Sequence, residues 1–167
     1  LVFTAHSVPT SADAASGPAA DGGGLYSRQV MAASQAVADE LGVTDFDQVW
    51  QSRSGPPQIP WLDPDICDHL EDVAAQSVPS VIVCPIGFVS DHLEVLWDLD
   101  NEGKDKADEL GLTYERAATV GTDPRFISMI VSLISEQLAG EVPFRPGMTE
   151  NGSPCAQGCC APVRRPA

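Results

Sequence analysis

Short apolar runs alternate with longer segments of helical periodicity along the first 140 residues. The runs predicted to be strands are residues 1–5, 46–51, 80–86 and 112–120. The segments between them place apolar residues at helical spacing, and residues 25–41 do so most regularly. Strands that alternate with helices are joined by right-handed crossovers. The pattern therefore predicts an α/β fold in three layers, with a four-stranded parallel sheet in the middle.

Glycine, proline and aspartate residues suggest where these elements begin and end. Gly42 is expected to stop the first long helix, and Asp63-Pro64 to begin the next with proline at its first position. Residues 10–24 are small and polar and predict a loop, and the fourth run is the least apolar and predicts an edge strand. A last helix should begin at Asp123. Its apolar stripe is expected to face the core: Phe126, Ile127, Ile130, Val131, Leu133 and Ile134.

The stretch after the third predicted strand carries the strongest functional signal in the sequence. Gly87 turns the chain, and Ser90 or Asp91 can cap a helix running to Leu110, here called the acidic helix. Its carboxylates Glu94, Asp98 and Glu102 stand at i, i+4 and i+8 and so share one face. Such a row can be a solvated surface. However, apolar residues interleave with it, which predicts a largely buried helix whose carboxylates need a metal or a proton.

Composition narrows the possible functions. The chain has 167 residues, 24 acidic and 9 basic, and a formal net charge of -15. This charge argues against nucleic acid and anionic membranes as partners and is compatible with attracting cations. No apolar run approaches the roughly 20 residues of a membrane span, so we expect a cytoplasmic protein. Because Leu1 opens a predicted core strand without an initiator Met, we expect a fragment that lacks an upstream half.

Several polar side chains should converge at one edge of the sheet. His6, the loop 51–61 and the acidic helix all follow carboxyl ends of strands, where α/β sheets place their sites. A histidine facing a carboxylate can bind a divalent metal or move protons. In the loop, Ser52, Arg53 and Ser54 could bind anionic groups, and Trp61 offers an aromatic face or core packing. No glycine-rich nucleotide loop is present.

Three segments carry a family resemblance. Residues 5–9 (AHSVP), 51–56 (QSRSGP) with Trp61-Leu62, and 87–98 (GFVSDHLEVLWD) resemble, in this order, the carboxyl-terminal half of ferrochelatases. The resemblance spans residues 1 to about 138 and is greatest to the actinobacterial, coproporphyrin-type enzymes. It implies a chelatase-like domain over residues 1–140, one of two similar halves that hold a porphyrin between them.

The resemblance also implies roles for the converging residues. The reaction would insert Fe²⁺, as substrate, into a porphyrin with loss of two pyrrole protons, in heme biosynthesis. His6 matches the family's active-site histidine, as proton acceptor or metal ligand, and Glu94 its partner carboxylate. Asp98 and Glu102 match an acidic ridge on a helix with a π-type stretch. A π turn of about 4.4 residues would align an i, i+4, i+8 row better than an α-helix does.

The Pro/Gly-rich tail, residues 141–167, holds three cysteines that cannot belong to a core: Cys155, Cys159 and Cys160. The resemblance implies that they ligate a [2Fe–2S] cluster. Such a cluster needs four thiolates, so the fourth would come from the missing half. A disordered end with exposed thiols is the alternative.

Further expectations follow from the resemblance. Coproporphyrin III is the favoured porphyrin, the product could pass to a coproheme decarboxylase, and the isolated fragment should be inactive. The alternatives are a cobalt or nickel chelatase for a sirohydrochlorin-type ring, a non-catalytic tetrapyrrole- or metal-binding module, and an α/β domain whose acidic row has no role.

Overall fold

A computed structural model describes residues 1–18 and 22–140 of the chain. Its centre is a parallel sheet in the order β2-β1-β3-β4. The strands are β1 (Val2–His6), β2 (Asp47–Gln51), β3 (Ser80–Cys84) and β4 (Thr113–Arg116). The predicted α/β class, the parallel sheet and the edge position of β4 are therefore confirmed.

Helices connect the strands and follow the last one. They are α1 (Thr10–Ala14), α2 (Leu25–Leu41), α3 (Ile66–Ala75), α4 (Leu93–Val95), α5 (Lys104–Leu110) and α6 (Pro124–Ala139). Between α4 and α5 lies a π-helical segment, Leu96–Gly103. α4, the π segment and α5 follow one another without a break, so the acidic helix spans residues 93–110. As predicted, α2 ends at Gly42, which adopts the left-handed conformation that glycine accommodates best.

Two core clusters lie on opposite faces of the sheet, because successive strand residues point to opposite sides. On one face, α3 and the acidic helix cover the sheet. The buried residues of this larger cluster are Val2, Val49, Ile66, Leu70, Val73, Val81, Val83, Phe88, Val95, Leu99, Ala107, Leu112 and Tyr114. On the other face, Val30 of α2 packs with Ala5 and Trp50. Ile82 points to this second face and is 56% exposed, so helical cover there is incomplete over β3.

Two local predictions were wrong. Residues 10–24 are not entirely loop, since α1 begins at Thr10, directly after Pro9. The helix predicted to start at Asp63-Pro64 starts at Ile66 instead, because the Asp65 side chain accepts the backbone N–H of Cys67 and so caps it.

The core role predicted for α6 was also wrong. Asp123 caps this helix and Pro124 occupies its first turn, as expected, but no α6 residue is buried. Ile127, Ile130, Val131 and Ile134 are all exposed, whereas Phe126 and Leu133 are only half-buried. Periodicity identifies which face of a helix is apolar, but it does not say what that face packs against.

Candidate active site

His6 is the last residue of β1 and opens the candidate site. Its ring Nδ1 lies 2.5 Å from the backbone oxygen of Ser7. Because a carbonyl oxygen can only accept, Nδ1 must carry the proton, and in the neutral ring Nε2 then holds the free lone pair. The Tyr26 hydroxyl donates to the His6 carbonyl oxygen at 2.6 Å and holds the strand end.

Glu94 faces this lone pair from the start of the acidic helix. Its Oε1 lies 3.9 Å from Nε2 of His6, and the two side chains are 56% and 38% exposed. This separation is too long for a direct hydrogen bond. It is slightly shorter than two metal–ligand bonds of about 2.1 Å each placed end to end. A cation or a transferred proton can therefore be shared between the two groups with only small movements.

Asp98 lies one step further along the acidic row and is held by the end of β2. Ser52 donates its hydroxyl to Asp98 Oδ2, and the Gln51 amide donates to the same oxygen at 3.3 Å. The Gln51 amide oxygen in turn accepts the Thr4 hydroxyl at 2.8 Å, and Gln51 is fully buried. A hydrogen-bonded chain therefore runs from the centre of the sheet to the acidic row.

Gln51 is the residue of this site to which sequence reasoning gave no role. Its only signal was a polar residue ending an apolar strand, directly before the serines of the loop. Ser52 has a backbone φ of 62°, in the left-handed region that non-glycine residues seldom adopt. The sequence did not indicate this strained backbone, although it aims the Ser52 hydroxyl at Asp98.

A cavity of about 110 Å³ extends the site toward Glu102. Its lining residues are Gln51, Ser52, Arg53, Asp65, Ile66, Cys67, Asp98 and Glu102. Burial raises the pKa of the Asp65 carboxyl, and the charges of Asp68, Asp98 and Glu102 raise it further. Burial together with Asp65 and Glu102 raises the pKa of the Cys67 thiol to about 11. Burial is the largest cause of both shifts, and the neighbouring carboxylates, which add to it, make the potential at this end of the acidic row negative.

The predicted π-type stretch is confirmed, and it changes side-chain spacing. Glu102 accepts the indole N–H of Trp97 at 3.0 Å, a contact between residues five apart. Such a pair fits the wider turn of a π-helix, a conformation found frequently at functional sites. The structure therefore places the row Glu94, Asp98, Glu102 on a helix whose local geometry differs from a regular α-helix.

The acidic helix is less buried than predicted. Its buried residues form a single stripe, Val95, Leu99, Gly103 and Ala107. Leu93 and Trp97 are 77% and 55% exposed. The helix begins after His92, whose ring packs edge-on against Phe88, and not at Ser90 or Asp91. Interleaved apolar residues indicated burial over most of the helix circumference, but the helix packs against the sheet on one side only.

The remaining predicted site residues lie around the loop after β2. Arg53 pairs with Asp63 at 3.8 Å and also lines the 110 Å³ cavity, while Ser54 is exposed. Trp61 is half-buried, and its indole nitrogen is buried without a hydrogen-bond partner.

Among the described residues, no three His, Cys, Asp or Glu side chains are close enough to hold one metal ion. His6, Glu94, Asp98 and Glu102 thus form a row and not a single coordination sphere. The cysteines Cys155, Cys159 and Cys160 lie outside the described residues.

The architecture resembles that of a solved structure. A putative cobalamin biosynthesis CbiX protein from Marinobacter aquaeolei superimposes with a TM-score of 0.52 at 15% identity, over 84% of this chain and 97% of that one. At this identity the likeness concerns the fold alone. Residues 1–138 match the sequence model of the Ferrochelatase family. The chain therefore belongs to the ferrochelatase family.

Curated relatives extend this assignment. The chain is 64% identical to a coproporphyrin III ferrochelatase of Nocardia farcinica, over 100% of the chain and 49% of the relative. It is 51% identical to one of Mycolicibacterium smegmatis, over 96% and 48%, and 47% identical to one of Corynebacterium glutamicum, over 98% and 46%. The chain spans about half the length of these relatives. No helix in the described ranges is long and apolar enough to cross a membrane.

Proposed function

We propose that the protein containing this chain is a ferrochelatase that inserts Fe²⁺ into coproporphyrin III, releasing two pyrrole protons in heme biosynthesis. The observation that carries the proposal is the pair formed by His6 Nε2 and Glu94 Oε1, 3.9 Å apart, at the carboxyl edge of a sheet whose sequence belongs to the ferrochelatase family. The names of the relatives support the choice of porphyrin.

Metal insertion needs a lone pair that accepts a proton or binds iron, and negatively charged groups along which a proton or a cation can move. Two pyrrole nitrogens must each lose a proton as each forms a bond to iron. The His6 tautomer leaves Nε2 free, and that lone pair serves either to take a pyrrole proton or to bind the incoming iron. Glu94, Asp98 and Glu102 then provide carboxylates along which a proton or a dication can travel. The negative potential around Asp65 and Cys67 attracts Fe²⁺ to the cavity at this end of the acidic row.

The test uses the full-length protein, purified without air. Fe²⁺ insertion into coproporphyrin III and protoporphyrin IX is followed by the Soret shift, and porphyrin binding is measured separately. We expect turnover with a preference for coproporphyrin III. His6→Ala should lower kcat at least about 100-fold, in the range of a lost general base. Porphyrin binding should change little.

His92→Ala is the matched control, because His92 is a second histidine beside the acidic helix that packs on Phe88. It should keep most of the activity. Turnover by His6→Ala near the wild-type rate would refute the proposed site. Binding without insertion by the wild-type protein would leave a tetrapyrrole-binding module. Insertion of cobalt or nickel into sirohydrochlorin in place of iron into porphyrin would assign a different chelatase.

The proposal includes three finer expectations. The product passes to a coproheme decarboxylase, and the reaction takes place in the cytoplasm. A [2Fe–2S] cluster is held by Cys155, Cys159, Cys160 and one thiolate from outside this chain.

Visible absorption of the anaerobic full-length protein tests the cluster. Cys159→Ser should remove the iron–sulfur bands, and the control Cys67→Ser should keep them. A wild-type protein that shows no such bands after anaerobic purification would contradict this part of the proposal without affecting the assignment of His6 and Glu94.

A further inference from the structure

Arg116 is the last residue of the edge strand β4, and its guanidinium group donates hydrogen bonds to two carboxylates from different segments. Its Nη1 donates to Asp91 Oδ1 at 3.0 Å. Its Nε donates to Asp100 Oδ1, and its Nη2 donates to Asp100 Oδ2 at 2.8 Å. The Arg116 side chain is only 12% exposed. Bidentate arginine–carboxylate pairs are strong and fix geometry as well as charge, and partial burial strengthens them.

The two carboxylates flank Glu94 along the chain. Asp91 lies in the turn three residues before Glu94, and Asp100 lies in the π segment six residues after it. One guanidinium therefore ties together the entry to the acidic helix and its π-helical part. A fourth bond, from Nη1 to the Ala117 carbonyl oxygen at 3.2 Å, holds the guanidinium against the strand end.

Tyr114 reinforces the same contact from two residues earlier on β4. Its buried hydroxyl donates to the Leu99 carbonyl oxygen at 3.0 Å, next to Asp100 in the chain. In the π segment this oxygen also accepts the backbone N–H of Lys104. Alternate residues of the edge strand thus hold the backbone and a side chain of the π segment, while Asp98 is held by Ser52 and Gln51 from β2 and the loop after it.

We propose that Arg116 is a positioning residue for the reaction: by bridging Asp91 and Asp100 it sets the place of Glu94 opposite His6. The proposal rests on the proposed function, since it gives Arg116 a catalytic consequence. Arg116 itself acts only through the acidic helix. Moving a reacting group by about 1 Å can cost about 100-fold in rate, so a lost bridge should be visible in turnover.

The experiment compares Arg116→Gln, Arg116→Lys and Lys106→Gln in the full-length protein. Lys106→Gln is the matched control, because it removes another cation that ties the same helix, through a pair with Glu71 at 2.9 Å, but beyond the π segment. We expect Arg116→Gln to lower kcat about 10- to 100-fold with the porphyrin KM within about twofold of wild type. Arg116→Lys should recover only part of the loss, because an ammonium cannot make the bidentate fork. Lys106→Gln should keep wild-type kcat.

A double variant separates positioning from general destabilisation. If Arg116 acts through Glu94, Arg116→Gln should cost little more once Glu94→Gln has removed the carboxylate. Losses that add fully in the double variant would overturn the proposal, and so would an unchanged kcat in Arg116→Gln.

Amide hydrogen exchange over residues 91–103 provides a readout that does not depend on activity. We expect faster exchange there in Arg116→Gln and wild-type rates in Lys106→Gln. Unchanged exchange in Arg116→Gln would overturn the bridge. A wild-type protein that inserts no iron would refute the proposed function, whereas the exchange data would still decide whether Arg116 holds the acidic helix.

Discussion

Gly87 brings the turn after β3 into direct contact with β1. Its N–H donates to the Thr4 carbonyl oxygen at 3.1 Å. A Cβ placed at Gly87 would lie 2.6 Å from the Ala5 Cβ and 2.9 Å from the Ala5 Cα. Both neighbours are rigid parts of a buried strand. The absence of a side chain therefore allows the turn that leads to Glu94 to lie directly beside the strand that carries His6.

Replacing Gly87 with alanine should separate the turn and the strand. Overpacking of this kind costs about 1–3 kcal/mol, so Gly87→Ala should lower the free energy of unfolding by about that amount. In the full-length protein, kcat should also fall, because His6 is adjacent to Ala5. Urea unfolding and turnover measure the two effects. Ser90→Ala, at an exposed position of the same loop, should change neither. Wild-type stability in Gly87→Ala would show that the turn can move without cost.

At the scale of elements, the π segment depends on its fit to β4. Gly103 has an ordinary helical φ of -64°, so its backbone does not require glycine. The constraint is space: a Cβ there would lie 3.2 Å from both the Asp98 carbonyl oxygen and the Tyr114 hydroxyl oxygen. The small residue thus permits the hydrogen bond by which Tyr114 holds Leu99.

Two opposing effects decide the outcome of Gly103→Ala. Alanine is favoured over glycine in a helix interior by about 1 kcal/mol. The contacts at 3.2 Å oppose this gain, and overpacking typically costs about 1–3 kcal/mol. We therefore expect a net loss of stability in urea unfolding. The loss should be smaller in a Tyr114→Phe background, where the hydroxyl is absent. A stabilising Gly103→Ala in the wild-type background would show that the π segment adapts freely.

The elements themselves were largely predictable, because their signals are local. Apolar period and glycine position located the four strands of the described residues and the acidic helix. The i, i+4, i+8 carboxylates together with the family resemblance anticipated the π segment. The contacts between elements were not predictable. The bond from Gln51 to Asp98 joins residues 47 positions apart and depends on strand register. The Arg116 fork likewise depends on which side chains the edge strand meets.

At the scale of the whole molecule, buried acids make the fold sensitive to alkali. Cys67 has a pKa of about 11, above the value of about 8.5 for an unfolded cysteine. Burial also raises the pKa of Cys84, Tyr26 and Tyr114. Between the unfolded and folded pKa values the native state binds more protons than the unfolded state, so its stability falls as pH rises.

We expect the free energy of unfolding to decline between about pH 8.5 and pH 11, with a shallower slope in Cys67→Ala. Urea unfolding at several pH values across this range measures the slope. Sodium chloride held constant keeps screening of the -15 net charge the same throughout. Equal slopes for wild type and Cys67→Ala would show that the Cys67 thiol ionises as readily in the native state as in the unfolded state.

The openness of the site makes a further prediction for the molecule as a whole. His6 and Glu94 are both more than one-third exposed, and the apolar side chains of Leu93 and Trp97, on the same helix as Glu94, are exposed as well. Metal insertion requires the ring to be held against the reacting groups and bent toward the transition state, which takes contacts on both of its faces. The described residues supply one wall of such a site.

We therefore expect the 167-residue chain alone to insert iron at least about 100-fold more slowly than the full-length protein, since orientation of the bound ring contributes at least that much. Anaerobic turnover of both proteins with the same porphyrin measures the ratio. A cooperative urea transition for the chain alone is the required control, because it separates an incomplete site from an unfolded one. The apolar face of α6, with Leu138 85% exposed, should also make the chain self-associate as its concentration rises. Comparable turnover by a folded, monomeric chain would mean that one wall is sufficient and that His6 and Glu94 bind and metallate the ring without a second.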